Sequence, residues 1–168
     1  LGEAADEIET LGYPPPEGLP ELREAIAAHM RATGVDCTAS QVLVTSGALQ
    51  ALQMISVSLL SAGSTVYAEA PSYIKSLQVF QSAGMKLAGV PMDEHGLDVD
   101  ALGRLMGGGS QSEGMTAAVP SAPQTSLPPR TKATRENDAV LYTIPTNHNP
   151  TGVTMSEPRR RALIASCV

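Results

Sequence analysis

Residues 41–92 read QVLVTSGALQALQMISVSLLSAGSTVYAEAPSYIKSLQVFQSAGMKLAGVPM, and their changing apolar period decides the fold. Gln41 to Thr45 is a short run rich in β-branched residues, the composition of a buried strand. From Ala48 to Leu60 the period becomes helical, with Leu49, Leu52, Ile55, Leu59 and Leu60 on repeating turns. Ser61-Ala62-Gly63 stops that helix. Thr65 to Glu69 predicts the next strand, Tyr73 to Ala83 the next helix, closed by Gly84, and Lys86 to Met92 a third strand. Strand and helix in alternation imply helices packed on a mostly parallel sheet, joined by right-handed crossovers.

The pattern extends both ways. Upstream, Pro20 to Thr33 predicts a helix with Pro20 in its first turn, Leu22, Ile26 and Met30 on one face, and Gly34 ending it. Downstream, Asp93-Glu94-His95-Gly96 has the composition of a turn, Asp98 to Met106 of a short helix, and Ala139 to Ile144 (AVLYTI) of a fourth strand. Ser156 is placed to cap a last helix running to about Cys167, with Pro158 in its first turn. The expected class is α/β, a three-layer α/β/α arrangement. Residues 107–138 interrupt it with Gly107-Gly108-Gly109 and then many Ser, Thr and Pro. That segment reads as a disordered surface insertion between a helix and a strand, or else as a domain boundary.

Composition limits the functions available. The 168 residues are 42% hydrophobic, enough for a core. Seventeen acidic and eleven basic residues give a net charge of −6, against the clustered positive charge of a general nucleic-acid binder. Aromatics are 3%, too few for a base-stacking platform. No apolar run reaches membrane-span length, and no basic-then-apolar signal segment opens the sequence. Cys37 and Cys167 make no disulfide framework and fit reduced thiols in the cytoplasm. His29, His95 and His148 are scattered, so no metal site is expected.

In α/β sheets, ligands bind where strands hand over to helices at their carboxyl ends. Three such places carry suitable residues. Thr45-Ser46-Gly47-Ala48-Leu49-Gln50 opens a helix, whose free N–H groups and positive dipole end suit an anion; a plain tight turn would use the same residues. Pro71-Ser72-Tyr73 puts a Tyr at a helix start, either stacked on a flat ligand or half-buried on the sheet. Pro145-Thr146-Asn147-His148-Asn149-Pro150-Thr151-Gly152 is a rigid turn in which an Asn precedes a Pro and can offer its amide to a ligand oxygen. Arg159-Arg160-Arg161 reads as a solvated helix face, with a phosphate contact as the other use.

Asn149-Pro150-Thr151-Gly152 resembles the signature of the class I/II aminotransferases, the fold type I pyridoxal-phosphate enzymes. Other segments agree in order and spacing: Tyr13-Pro14-Pro15-Pro16-Glu17-Gly18, Leu22-Arg23, Thr45-Ser46-Gly47, Glu69-Ala70-Pro71-Ser72-Tyr73 and Asp93-Glu94-His95-Gly96-Leu97. The resemblance covers all but 107–138 and is greatest to the branch of aromatic and 2-aminoadipate/kynurenine aminotransferases and MocR-type regulators, a branch that Tyr142-Thr143-Ile144-Pro145 and Ser156-Glu157-Pro158-Arg159-Arg160 also support.

The resemblance implies that residues 1–168 form part of a fold type I large domain that binds pyridoxal 5'-phosphate. Gly47, Ala48 and Leu49 would lie at the cofactor phosphate, gripping through backbone N–H groups, because Ala48 and Leu49 are apolar where the branch often has Ser and Gln. Tyr73 would stack on the pyridine ring, and Asn149 would hydrogen-bond its phenolic oxygen. Tyr13 would reach the phosphate of a neighbouring subunit, implying a homodimer. Substrates would be an amino acid and a 2-oxo acid. The family's Schiff-base lysine, its acidic partner for the ring nitrogen and its substrate arginine all lie beyond position 168, and Lys75, Lys86 and Lys132 match none of them. Residues 1–168 alone are therefore expected to be inactive. A ligand-binding effector domain of a MocR-like regulator, or a lyase on the same scaffold, would share these binding residues.

Overall fold

A computed structural model describes residues 12, 13, 15–107 and 139–166. The insertion expected at 107–138 lies outside the described residues except for Gly107. Contacts divide the chain into Leu1–Gln50 and Ala51–Val168.

In the first unit, α1 spans Pro20–Ala32. Pro20 stands where a missing N–H costs nothing, and Gly34 follows the helix at φ +92°. The buried position is Ala27, while Leu22 and Met30 of the expected stripe are exposed. Arg23 accounts for the rotation of the face: its Nε donates to the carbonyls of Ala39 (3.1 Å) and Val42 (2.9 Å), which turns that side of the helix inward. The strand expected at 41–45 is not formed. Ala39–Gln41 is a single 3-10 turn, with Thr38 and Gln41 capping each other, and Val42 continues extended. Val44 N donates to Glu17 O (3.0 Å), and no described strand lies alongside. Gly18, at φ +104°, makes that crossing possible, because a Cβ there would stand 2.6 Å from Val44 Cγ2.

The helix α2, Ala48–Leu59, begins in the first unit and runs on into the second. The second unit then follows the predicted alternation: β1 Thr65–Ala70, α3 Ile74–Ser82, β2 Lys86–Asp93, β3 Gly96–Leu97, α4 Val99–Met106, β4 Ala139–Tyr142 and α5 Glu157–Ser166. The sheet order is β3-β2-β1-β4. β1 is parallel to both neighbours, with Val66 opposite Leu87 and Val140, and Ala68 opposite Gly89 and Tyr142. The two-residue β3 turns back antiparallel on β2. Asp98 caps α4 by accepting from Ala101 N (3.0 Å).

The period-two pleat of β1 sends Val66 and Tyr67 to opposite faces, and each face is covered by helices. On one side Val66 packs with Phe80 and Met85, flanked by Leu52, Leu60, Leu87 and Tyr142. Phe80 and Tyr142 meet edge to face with centroids 5.4 Å apart, and Tyr142 Oη donates to Ser76 Oγ (2.9 Å). On the other side Val90, Leu97, Ala101, Leu102, Met155 and Leu163 form a second core against Tyr67 and Leu141. Burying each of the largest of these is worth about 1.5–3 kcal/mol. The architecture is a three-layer α/β/α with a mostly parallel sheet. No described helix is long and apolar enough to cross a membrane.

Candidate functional site

Because β1 and β4 run parallel, the loops that follow them leave the same end of the sheet. The first is Pro71-Ser72-Tyr73, with Tyr73 half-buried at the N-cap of α3 (φ −67°, ψ 110°). The second is 143–156, which carries Asn149. Both Ala70–Pro71 and Asn149–Pro150 are cis. Asn147 takes a left-handed φ of 49°, and Gly152 one of 76°.

Ionic and polar side chains hold the second loop. Main-chain pairing ends at Ala68 opposite Tyr142, short of the expected Ile144, because the next groups turn to the Glu69 side chain. Thr143 Oγ1 donates to Glu69 Oε1, and Ile144 N donates to Oε2 (3.1 Å) and Oε1 (3.3 Å). Glu69 is 3% exposed and His148 2%, with His148 Nε2 3.6 Å from Glu69 Oε2. On the ring's other side His148 Nδ1 lies 2.9 Å from Thr151 Oγ1.

The arginine run is not simply a solvated face. Arg160 donates to the carbonyls of Pro145 (2.7 Å) and Met155 (2.9 Å) and to Thr146 Oγ1 (2.9 Å), closing the loop into a ring. Arg159 donates to Leu97 O (2.7 Å) and Asp93 Oδ2 (2.9 Å), tying α5 to the β2–β3 turn. Arg161 alone is solvated, paired with Glu157 one turn back. The arginines therefore serve carbonyls and carboxylates within the protein. Arg160→Met should loosen the loop by about 1–3 kcal/mol, seen as faster amide exchange at Asn147, His148 and Gly152 with the β1–β2 ladder unchanged.

The hydrogen bond from Arg159, reinforced by the His95 N–H, holds the Asp93 carboxyl below its ordinary pKa. A depressed folded pKa stabilises above the ordinary carboxylate value, and that contribution is lost as pH falls through the folded value. Asp93→Asn should therefore melt below the unsubstituted protein at pH 7, and the gap should shrink at pH 3. The pair is exposed, so added salt should narrow the gap at pH 7 as well.

The remaining predicted site residues belong to the first unit. Tyr13 is fully exposed. Gly47, at φ +99° with no atom within 4 Å of a Cβ built on it, precedes Ala48 and Leu49 at the start of α2; all three are exposed. Ser46 N is taken by Gln50 Oε1, whereas the first N–H groups of the helix have no intrahelical acceptor. Lys75 and Lys86 are surface residues, and Lys132 is outside the described residues. An open apolar cleft of about 450 Å³ lies along β4, lined by Ala139, Val140 and Leu141 with Met106, Leu163 and Ile164. It offers none of the ligand-binding residues above and is not the candidate site. No metal-holding cluster occurs among the described residues.

Residues 3–168 match the family Aminotransferase class I and II, and the chain belongs to it. The chain is 41% identical over 167 residues to an uncharacterized HTH-type transcriptional regulator, YdfD, of Bacillus subtilis, covering 98% of this chain and 29% of that protein. It is 31% identical over 154 residues to the 2-aminoadipate transaminase of Thermus thermophilus, covering 92% of this chain and 31% of the relative. The structure superposes on an archaeal alanine:glyoxylate aminotransferase with a TM-score of 0.74 and 32% identity, over 98% of this chain and 36% of that one. The chain thus spans about a third of the length of its relatives, and its fold is the fold type I arrangement that the motifs implied.

The donors present suit pyridoxal phosphate, the cofactor of that family. Within the second unit, the aromatic face of Tyr73 and the exposed amide of Asn149 match a flat ring and a phenolic oxygen; in the first unit, the start of α2 has the free N–H groups that suit a phosphate. Glu69 escaped the residue-by-residue reading. The signal was an acidic residue on an otherwise apolar strand, in the period-two class of Tyr67, where burial demands partners.

Proposed function

We propose that the full-length protein containing this chain binds pyridoxal 5'-phosphate and transfers an amino group between an amino acid and a 2-oxo acid. The reading is carried by Tyr73 and Asn149, which stand on two loops leaving the same end of a parallel sheet. Tyr73 would stack on the ring, Asn149 would donate to the phenolic oxygen, and the N–H groups of Gly47, Ala48 and Leu49 would hold the phosphate without help from apolar side chains. Tyr13, uncovered within its own chain, would reach the phosphate in a second copy, which makes the working unit a homodimer. When bound, the cofactor supplies the electron sink for breaking bonds at an amino acid's Cα. The covalent lysine and the acid at the ring nitrogen would come from outside these 168 residues, so the segment alone would give no turnover.

A second reading is favoured by the 41% identity to an HTH-type regulator: the same pocket as the ligand-sensing module of a DNA-binding protein. Purified full-length protein mixed with pyridoxal phosphate, an amino acid and a 2-oxo acid separates the two. Retained cofactor absorbance with accumulation of the new 2-oxo acid supports amino transfer. Retained cofactor without turnover, together with cofactor-dependent DNA binding, supports the regulator. No retained cofactor defeats both.

A further inference from the structure

We infer that Glu69 is a positioning residue that sets the place of the Asn149 amide relative to Tyr73, acting through Thr143, Ile144 and His148. This rests on the cofactor reading above, in which Asn149 meets the phenolic oxygen.

The main-chain ladder between β1 and β4 stops at Tyr142, where the loop begins. The Glu69 carboxylate continues it, accepting from the Thr143 hydroxyl and the Ile144 N–H. A second set of contacts approaches the same carboxylate from the far side of the loop. Val153 N donates to Thr151 Oγ1 (3.3 Å), and the Thr151 hydroxyl in turn lies 2.9 Å from His148 Nδ1. The ring's other nitrogen, Nε2, lies 3.6 Å from Glu69 Oε2. Nε2 is buried and has no hydrogen-bond partner among the described residues, and the polar group it faces is the Glu69 carboxylate. His148 N also donates to Val153 O (2.8 Å), which fixes the backbone immediately before Asn149.

Residues 143, 144 and 148 therefore all lean on one buried carboxylate. That carboxylate sits on the strand that leads, through Ala70-Pro71-Ser72, to Tyr73. The ring-stacking residue and the amide donor are thus referenced to a common point. No described Lys or Arg neutralises the Glu69 carboxylate, so it depends on the groups that surround it here.

The test uses the full-length protein with Glu69→Gln and, separately, His148→Gln, which leaves Glu69 and its Thr143 and Ile144 bonds in place. Dissociation constants are measured for pyridoxal 5'-phosphate and for its 3-O-methyl derivative, in which the phenolic group can no longer meet Asn149 normally. Hydrogen exchange is followed at amides 144–153. Glu69→Gln is expected to weaken pyridoxal phosphate about fivefold and the methylated probe much less, as coupling between neighbouring groups of this kind predicts. Exchange at 144–153 should quicken while β1–β2 amides keep their rates. His148→Gln should show the same discrimination between probes, and it decides the matter should Glu69→Gln fail to fold. Equal losses for both ligands, or unchanged loop exchange, would overturn the inference. Failure of the unsubstituted protein to bind either ligand would instead overturn the cofactor reading, and the exchange measurement would then decide by itself whether Glu69 holds the loop.

Discussion

Gly96→Ala is expected to destabilise the protein by about 3 kcal/mol. Two costs combine. Gly96 sits at φ +103°, where an L residue is strained by about 1–2 kcal/mol. Its new Cβ would also lie 3.0 Å from Met155 Cβ and Cγ and 3.1 Å from Met155 Cα. Met155 has no room to withdraw. It is 3% exposed in the second core, its N–H is bound to Pro145 O, and its carbonyl is bound to Arg160. The strain would pass from the β2–β3 turn into the Asn149 loop. The measurement is the thermal midpoint of the full-length protein, with Gly103→Ala as the control. Gly103 lies inside α4 with nothing within 4 Å of an added Cβ, so alanine there should raise the midpoint slightly.

Tyr73→Ala is expected to weaken pyridoxal phosphate binding by about tenfold to a hundredfold, within the roughly 1–3 kcal/mol of a heteroaromatic ring stacked on an aromatic side chain. The position makes this a test of binding more than of folding. Tyr73 is the N-cap of α3 but makes no side-chain capping bond, and the helix is held to the sheet elsewhere, by Ser76 and Phe80. Tyr73→Phe keeps the ring face and should retain most of the affinity. Equal binding by all three proteins, measured by equilibrium dialysis, would remove Tyr73 from the site.

The alternation from Ala48 to Met106 was legible because each element carries its own punctuation. Gly63, Gly84 and Gly96 all adopt positive φ at the turns their sequence marks, and Asp98 caps the helix it precedes. The failures share one cause, which is that the deciding partner is remote in sequence. Gln41 to Thr45 has strand composition, but a strand needs a neighbour, and the one main-chain bond from Val44 goes to Glu17. The α1 stripe is displaced because Arg23 reaches carbonyls sixteen and nineteen residues away. β4 ends early because Glu69, 74 positions before Thr143, takes over its bonds. Arg159 and Arg160 look like solvated charges until Asp93, Leu97 and Pro145 are seen beside them. For the site, chain order alone was enough to put Tyr73 and Asn149 at one end of the sheet. It could not reveal the buried carboxylate between their loops.

The position of β1 between β2 and β4 also sets an order of assembly. β1, α3 and β2 are contiguous from Thr65 to Asp93 and can pair as soon as that stretch leaves the ribosome. β4 can dock only after Ala139 to Tyr142 have been made, and closure over so long a separation is slow. Until then the second edge of β1 stays open, and Tyr67 on its face lacks its Leu141 neighbour. The interval before β4 arrives is the period in which the nascent protein is most exposed to pairing with the wrong strand.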